Sequence, residues 1–265
     1  MPQRELPIAM FDSGVGGLTV LHECLVSLPH EDFVYLGDTA RFPYGVREAE
    51  ELRAFAFELA ELLLARGAKL LVVACNAATS AALPALRERF GRVVGVVTPE
   101  SQLAARASRN GHVGLLATPA TVASGAYERA LPNATLHAVA CPELAPLIQA
   151  GEVDQRLVDC VEGYCAPLRA AGVDTVILGC THYPLVRPII QRALGRGVTI
   201  VSSGQAIADA VRAALDGMEN DEDRRGDYRF LCTGDPEEFR RVGTRFLQMP
   251  LGEVERVGVE RRAVA

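Results

Sequence analysis

No stretch of the chain approaches 18 uninterrupted apolar residues, and the opening Met1 to Pro7 carries no apolar signal core. Both absences argue against a membrane span and a secretory leader, so a cytoplasmic protein with no membrane partner is expected. Pairing signals for cysteine are missing too. The seven cysteines, at positions 24, 75, 141, 160, 165, 180 and 232, are odd in number, and none forms a Cys-x-x-Cys pair. With the five histidines they give no zinc-type spacing, so neither a disulfide framework nor a metal site is expected. A net charge of −6 leaves no basic excess for nucleic acid, which is excluded as the main partner. What is present, 265 residues at 49% hydrophobic and 23% charged, suffices for one large or two modest cores.

Short apolar runs alternate with helical patterns, the mark of βα units and a mostly parallel sheet. Strands are expected at 7–11, 33–36, 69–74, 93–97, 112–116, 135–140, 174–179, 198–202 and 228–233. Between them lie amphipathic stretches such as 48–66, where Leu52, Phe55, Ala56, Leu59, Leu62 and Leu63 recur at helical spacing. A similar pattern covers 153–170, with Leu157, Val161, Tyr164 and Leu168. Helices are expected again at 205–215 and 237–247, on either side of a polar, acidic loop from Gly217 to Gly226.

The chain also repeats. Cys75 and Cys180, 105 positions apart (180 − 75), each end an apolar run. At the same offset Ile8 to Phe11 falls on Val113 to Leu116, Ser13 on Thr118, Phe33 to Leu36 on Ala138 to Cys141, and Asp38 on Glu143. The expected fold is therefore α/β, as two pseudo-symmetric three-layer domains with mostly parallel sheets and the site in the cleft between them. One domain would comprise 1–98 plus 207–265 and hold Cys75; the other, 99–206, would hold Cys180.

Asp12-Ser13-Gly14-Val15-Gly16-Gly17 follows a strand and precedes a helix. It lacks the Gly-Lys-Ser/Thr of a phosphate loop, and its glycine order departs from the dinucleotide fingerprint. Two readings remain: a turn that merely needs glycine, or a carboxylate-binding turn with Asp12 as a polar or acid–base group. Cys75-Asn76-Ala77 and Cys180-Thr181-His182 place each thiol at a strand's C-terminal end, where open α/β sheets bind ligands. Pro84 and Pro188 suit first-turn helix positions, leaving free N–H groups behind each Cys. Such donors draw a thiol pKa from about 8.5 toward neutrality. Asn76 and Thr181 add side-chain donors, and His182 could poise its thiol or pack as a core histidine. The loop Gly37 to Gly45 offers Tyr44 and Gly45 to a carboxylate, and Ala117 to Thr121 offers the hydroxyls of Thr118 and Thr121.

These segments together resemble the glutamate racemase family, within the cofactor-independent aspartate/glutamate racemases. The resemblance extends to the tail, Cys232-Thr233-Gly234-Asp235-Pro236 with Phe239 and Phe246, and covers nearly the whole chain. It implies a two-base racemase that inverts the α-carbon of glutamate without pyridoxal phosphate, metal or other cofactor, supplying D-glutamate for peptidoglycan. By the same resemblance Cys180 takes the proton from L-glutamate and Cys75 from D-glutamate. Asp12, Ser13, Tyr44, Gly45, Asn76, Ala77, Thr118, Thr121, Thr181 and His182 would bind or assist. Two positions depart from the pattern: Ala77 stands where the family usually has Thr, and Gln149 where many members have Glu. Glu143 and Glu152 lie near the latter. The expected partners are the substrate glutamate and a second copy of the chain in a homodimer.

Other readings remain open on the residues alone. Aspartate or another small α-substituted acid could be the substrate. One Cys could be an amidase nucleophile with His182 as its base, which leaves the other strand-end thiol unexplained. A two-domain ligand-binding protein is the non-enzyme alternative.

Overall fold

A strand buried on both faces reads as a continuous apolar run, and Ile8–Asp12 is such a strand, fully buried along its length. The structure is a computed structural model that describes residues 3–151, 153–221 and 223–259. Glu152 and Glu222 lie outside the described residues, as do both chain ends.

The first half runs β1 (Ile8–Asp12), α1 (Leu18–Ser27), β2 (Phe33–Gly37), α2 (Ala49–Ala65), β3 (Leu70–Val73), α3 (Asn76–Phe90) and β4 (Val93–Gly95). After α4 (Val97–Ala107) come β5 (His112–Ala117), α5 (Pro119–Ala123), α6 (Ala126–Ala130), β6 (Thr135–Ala140), α7 (Leu144–Ala150) and α8 (Gln155–Ala170). The chain continues through β7 (Thr175–Gly179), α9 (Arg187–Leu194), β8 (Thr199–Val201) and α10 (Gly204–Leu215). It ends in β9 (Tyr228–Cys232), α11 (Pro236–Leu247) and β10 (Val254–Arg256). Two sheets result, ordered β10-β9-β2-β1-β3-β4 and β6-β5-β7-β8, and every strand pair in them is parallel.

Alternation along each strand divides the cores. In the first sheet Ala9, Phe11, Leu71 and Val73 pack with Leu52, Leu59 and Leu63 of α2 and with Ala78 and Leu86 of α3. The intervening Ile8, Met10, Leu70 and Val72 join Leu18 and Leu21 of α1 and Ile207 and Val211 of α10. In the second sheet Val113, Leu115 and Ile177 meet Val97 and Ala104 of α4 and Tyr127 of α6. On its other side Val176 and Leu178 meet Leu157, Val161 and Leu168 of α8. Among the described residues no helix is long and apolar enough to cross a membrane.

The strand registers correct the repeat. Ile8 lies opposite Phe33 and Leu70, and Val113 opposite Leu136 and Thr175. The central and thiol-bearing strands keep the 105 offset (113 − 8 and 175 − 70), but β2 and β6 are related by 103 (136 − 33). Asp38 therefore corresponds to Cys141, not Glu143: Asp38 N donates to Asp12 O at 2.9 Å as Cys141 N does to Ala117 O at 2.8 Å. The cause is a shorter crossover. The single helix α1 is replaced by α5 and α6, broken where Gly125 takes a left-handed φ of 62°. Glu143 instead sits exposed at the start of α7, beside Arg156. Pro84 is a second correction. Because α3 begins directly after Cys75, Pro84 lies inside the helix, whereas Pro188 does occupy the first turn of α9. The short β10 was not foreseen; it adds to β9 at the sheet edge.

One buried ion pair ties the bottom of the first sheet together. Lys69 Nζ lies 2.6 Å from Glu31 Oε2, both almost fully buried. The ammonium also donates to Arg4 O at 2.6 Å and Met218 O at 2.9 Å. Glu31 Oε1 accepts from Asn220 N at 2.8 Å. Among the described residues Lys69 is the one charge facing Glu31 Oε2, which has no hydrogen-bond donor of its own, so removing one partner strands a buried charge. Lys69→Met should lower unfolding free energy by about 3–5 kcal/mol in a urea titration; a loss under about 1 kcal/mol would show that the pair is relaxed by solvent.

Candidate active site

The C-terminal ends of β1, β3, β5 and β7 converge on one small cavity, with about 30 Å³ accessible to the centre of a water molecule. Cys75 and Cys180 both line it, each nearly buried and each a free thiol. Of the other residues expected from sequence, Ser13, Tyr44, Gly45, Asn76, Ala77, Thr118, Thr181 and His182 line it as well. Asp12 and Thr121 stand behind the wall. Asp12 accepts from Gly14 N at 3.0 Å and from Thr181 Oγ1 at 3.4 Å, and Thr121 shares a hydrogen bond of 3.0 Å with Thr118.

The glycine-rich turn has a structural reason of its own. A Cβ on Gly16 would lie 2.3 Å from Thr181 Oγ1 and 2.5 Å from the His182 ring; one on Gly17 would lie 2.6 Å from Asp12 Cβ. No larger residue permits that approach. Thr19 Oγ1 then donates to Thr181 O at 3.1 Å, which fastens the turn to the Cys180 segment. Gly45 is packed as closely, since its Cβ would meet Thr118 at 2.5 Å, and Ala120 N donates to its carbonyl at 2.9 Å. Tyr44 gives its hydroxyl to the buried Asp38, which also holds Arg41 at 2.6 Å and Thr233 at 2.7 Å. Its ring, rather than its hydroxyl, is what remains for the cavity.

The thiols differ in their surroundings. Cys75 caps α3, its Sγ accepting from Ala78 N at 3.5 Å. The expectation that helix N–H groups would lower its pKa is corrected: burial pushes the thiol up to about 12, the Asp12 charge adds to this, and the donors from Ala78 and Ser13 only partly offset it. Burial likewise raises Cys180 well above the ordinary thiol range. Both are protonated at neutral pH in this form. Cys180 has His182 beside it, Sγ to Nδ1 3.9 Å. Phe42 stacks on that ring at 5.4 Å and Phe246 meets it edge-on at 5.1 Å. Burial lowers the imidazole pKa to about 3, so it is neutral. Nε2 lies 3.0 Å from Gln149 Oε1, an acceptor, so Nε2 carries the proton and Nδ1 is left as a bare acceptor toward Cys180.

Sequence reasoning passed over the residues that support this wall. Gln149 entered only as a departure from a pattern, yet it sets the tautomer of His182. Glu100 and Tyr127, behind Asn76, were missed altogether; no motif marks them.

An α/β protein with two parallel sheets and a thiol from each at one enclosed pocket is the class that fold and site define. Comparison with known proteins narrows it. Residues 19–211 match the Asp/Glu/hydantoin racemase family. A glutamate racemase of Beutenbergia cavernae is 44% identical over 94% of this chain and 92% of its own. A glutamate racemase structure from Bacillus anthracis superposes with a TM-score of 0.90 at 37% identity, covering 97% of this chain and 98% of that one. The Francisella tularensis glutamate racemase, solved in complex with D-glutamate, gives 0.89 at 30% identity over 96% and 98%. The chain belongs to the Asp/Glu/hydantoin racemase family.

Burial of neutral His182 has a consequence for acid stability. Its folded pKa of about 3 lies below the ordinary 6.5, so between those values the unfolded chain binds the extra proton. Its contribution to stability is full above about pH 6.5 and is lost as pH falls toward 3. Thermal melts of the parent and His182→Gln should therefore converge on acidification through that window. A constant gap from pH 7 to pH 4 would overturn the assignment of a neutral ring.

Proposed function

We propose that the protein interconverts L- and D-glutamate by two-base proton transfer and thereby supplies D-glutamate for peptidoglycan. The observation that carries this reading is that Cys75 and Cys180, related by the repeat, line one cavity at equivalent strand ends. The glutamate racemases among its relatives support the choice of substrate.

Removing an α-proton leaves charge on the α-carbon and its carboxylate, so the pocket must supply both a base and hydrogen-bond donors. In the direction from L-glutamate, the Cys180 thiolate takes the α-proton and becomes a thiol. The planar carbanion then takes a proton from the Cys75 S–H on the opposite face, leaving a Cys75 thiolate. The reverse reaction exchanges the roles. Charge balance favours activation on binding: the substrate's ammonium group enters beside thiols whose pKa values are high mainly through burial, and a neighbouring cation lowers them. His182, with Nδ1 toward Sγ, accepts the Cys180 proton only once the substrate's carboxylates lift its pKa from about 3, as the ammonium lowers that of the thiol. Asp12 and Ser13 serve the Cys75 side. Backbone N–H groups near Asn76, Ala77 and Thr181 and the Thr118 hydroxyl, with Thr121 behind it, hold carboxylate oxygens against Tyr44 and Gly45.

The domain division at 98 and 207 belongs to the same reading; it is supported by the pairing of β9 with β2 and by the packing of α10 on α1. So do the homodimer and the cytoplasmic location. Light scattering tests the first of these, and a single-chain mass would refute it.

The decisive experiment is incubation with each glutamate enantiomer in deuterated water without added cofactor. Optical rotation should vanish as deuterium enters Cα. Cys75→Ala and Cys180→Ala should each reduce racemisation by about 10³-fold or more, while Cys24→Ser, remote from the cavity, should not. Near-parent racemisation in either strand-end variant sinks the two-base mechanism. Faster turnover of aspartate than of glutamate sinks the substrate assignment.

A further inference from the structure

Behind the Cys75 wall lies a carboxyl group with no evident business in a core. Glu100, on α4, is fully buried, and its hydrogen-bond partners among the described residues are all neutral donors. Ser203 donates to Oε1, and Tyr127 donates to Oε2. Asn76 Nδ2 reaches Oε2 at 3.1 Å and also donates to the Tyr127 hydroxyl at 2.8 Å. A buried carboxyl without a counter-charge is costly, and burial lifts its pKa to about 7. An apolar residue would fill the space at less expense, so the polar arrangement calls for a reason.

The reason lies in what the cluster does to Asn76. An amide has one donor arm and one acceptor arm. Here two acceptors, Glu100 and Tyr127, claim the donor arm, which fixes the orientation of the group. The other arm, Oδ1, is buried with no hydrogen-bond partner among the described residues, on a residue that lines the cavity. A buried carbonyl oxygen left unpaired costs about 1–3 kcal/mol, unless a ligand donor meets it.

We propose that Glu100 is a positioning residue, which acts through Asn76 to hold Oδ1 as an acceptor for the N–H donors of the substrate's ammonium group. The inference rests on the racemase reading above. The location fits: Glu100 follows the crossing from β4 into the second half, Ser203 follows the crossing back after β8, and Asn76 and Tyr127 come one from each half. The amide is thus set by a cluster that draws on both halves of the chain.

Glu100→Gln keeps the shape but gives position 100 an N–H donor, which can pair with Asn76 Oδ1 and let the amide turn. KM for glutamate should rise about tenfold, the worth of one misplaced hydrogen bond to a charged group, with kcat within about threefold and an unchanged melting temperature. In the Asn76→Ala background the same substitution should add nothing, because its route is gone. Tyr127→Phe, which leaves the carboxyl in place, should raise KM by a smaller factor and serves if Glu100→Gln does not fold. Parent-like KM in the folded variants, or effects of Glu100→Gln and Asn76→Ala that multiply, would overturn the proposal while leaving the racemase reading intact. A parent protein that neither binds nor turns over glutamate would overturn both.

Discussion

The contact on which the rest of the molecule depends is the approach of the Gly14–Gly17 turn to Thr181 and His182. There is no space there for even one methyl group on Gly16. That closeness brings the end of β1 against the segment that follows β7, and so brings the thiol at the end of β3 into the same cavity as Cys180. Thr19, Thr181 and Asp12 then satisfy one another across the seam. A polar seam excluded from water must be paired throughout, since each unmet group costs as much as a good hydrogen bond gains. The first half's turn and the second half's thiol segment are consequently held as one unit.

Exclusion of water sets the chemistry as well. The same burial that raises both thiols above their ordinary range makes each charge introduced into the cavity strongly felt by its neighbours. A zwitterionic ligand supplies such charges in both signs. The buried pocket therefore holds both thiols neutral, protected from side reactions that need a thiolate. His182 follows the same rule from the other side: desolvation keeps it neutral, and Gln149 decides which nitrogen is bare. A carboxylate at position 149 would pull the imidazole toward its charged form; an amide leaves it an acceptor.

Much of this was legible in the chain, for identifiable reasons. Strand β1 and its counterpart β5 are apolar without interruption because both faces are covered, and the thiols stand out because the repeat places them at matching strand ends. The two-residue slip at β6 was hidden, because a shorter crossover before the strand is compensated by a longer one after it, and the offset returns by Cys180. Pro84 misled because proline is commonest in a helix's first turn, whereas Cys75 itself caps α3. Thiol pKa values were misjudged for a physical reason: helix N–H groups are visible in sequence, but the depth of burial that outweighs them is not. Glu100 was invisible because a glutamate after Thr98-Pro99 reads as a solvated first-turn residue, and only the tertiary structure turns it inward.

The repeat ends where the chemistry begins. Ser13 corresponds to Thr118 and Cys75 to Cys180, but Asp12 corresponds to Ala117, and Asn76 to Thr181. Backbone symmetry supplies two thiols at related strand ends; it does not supply equal environments. Cys75 is held by a helix N-terminus, Ser13 and a buried carboxyl, and Cys180 by a neutral imidazole. A racemisation has equal free energies at its two ends, yet its two proton transfers use different groups. On the racemase reading proposed above, equal ends make kcat/KM the same in both directions. Asp12 and Asn76 on one side and His182 with Gln149 on the other can then differ only in how binding and each proton transfer share that common barrier. Divergence of those side chains on a shared backbone is what the duplicated fold makes available.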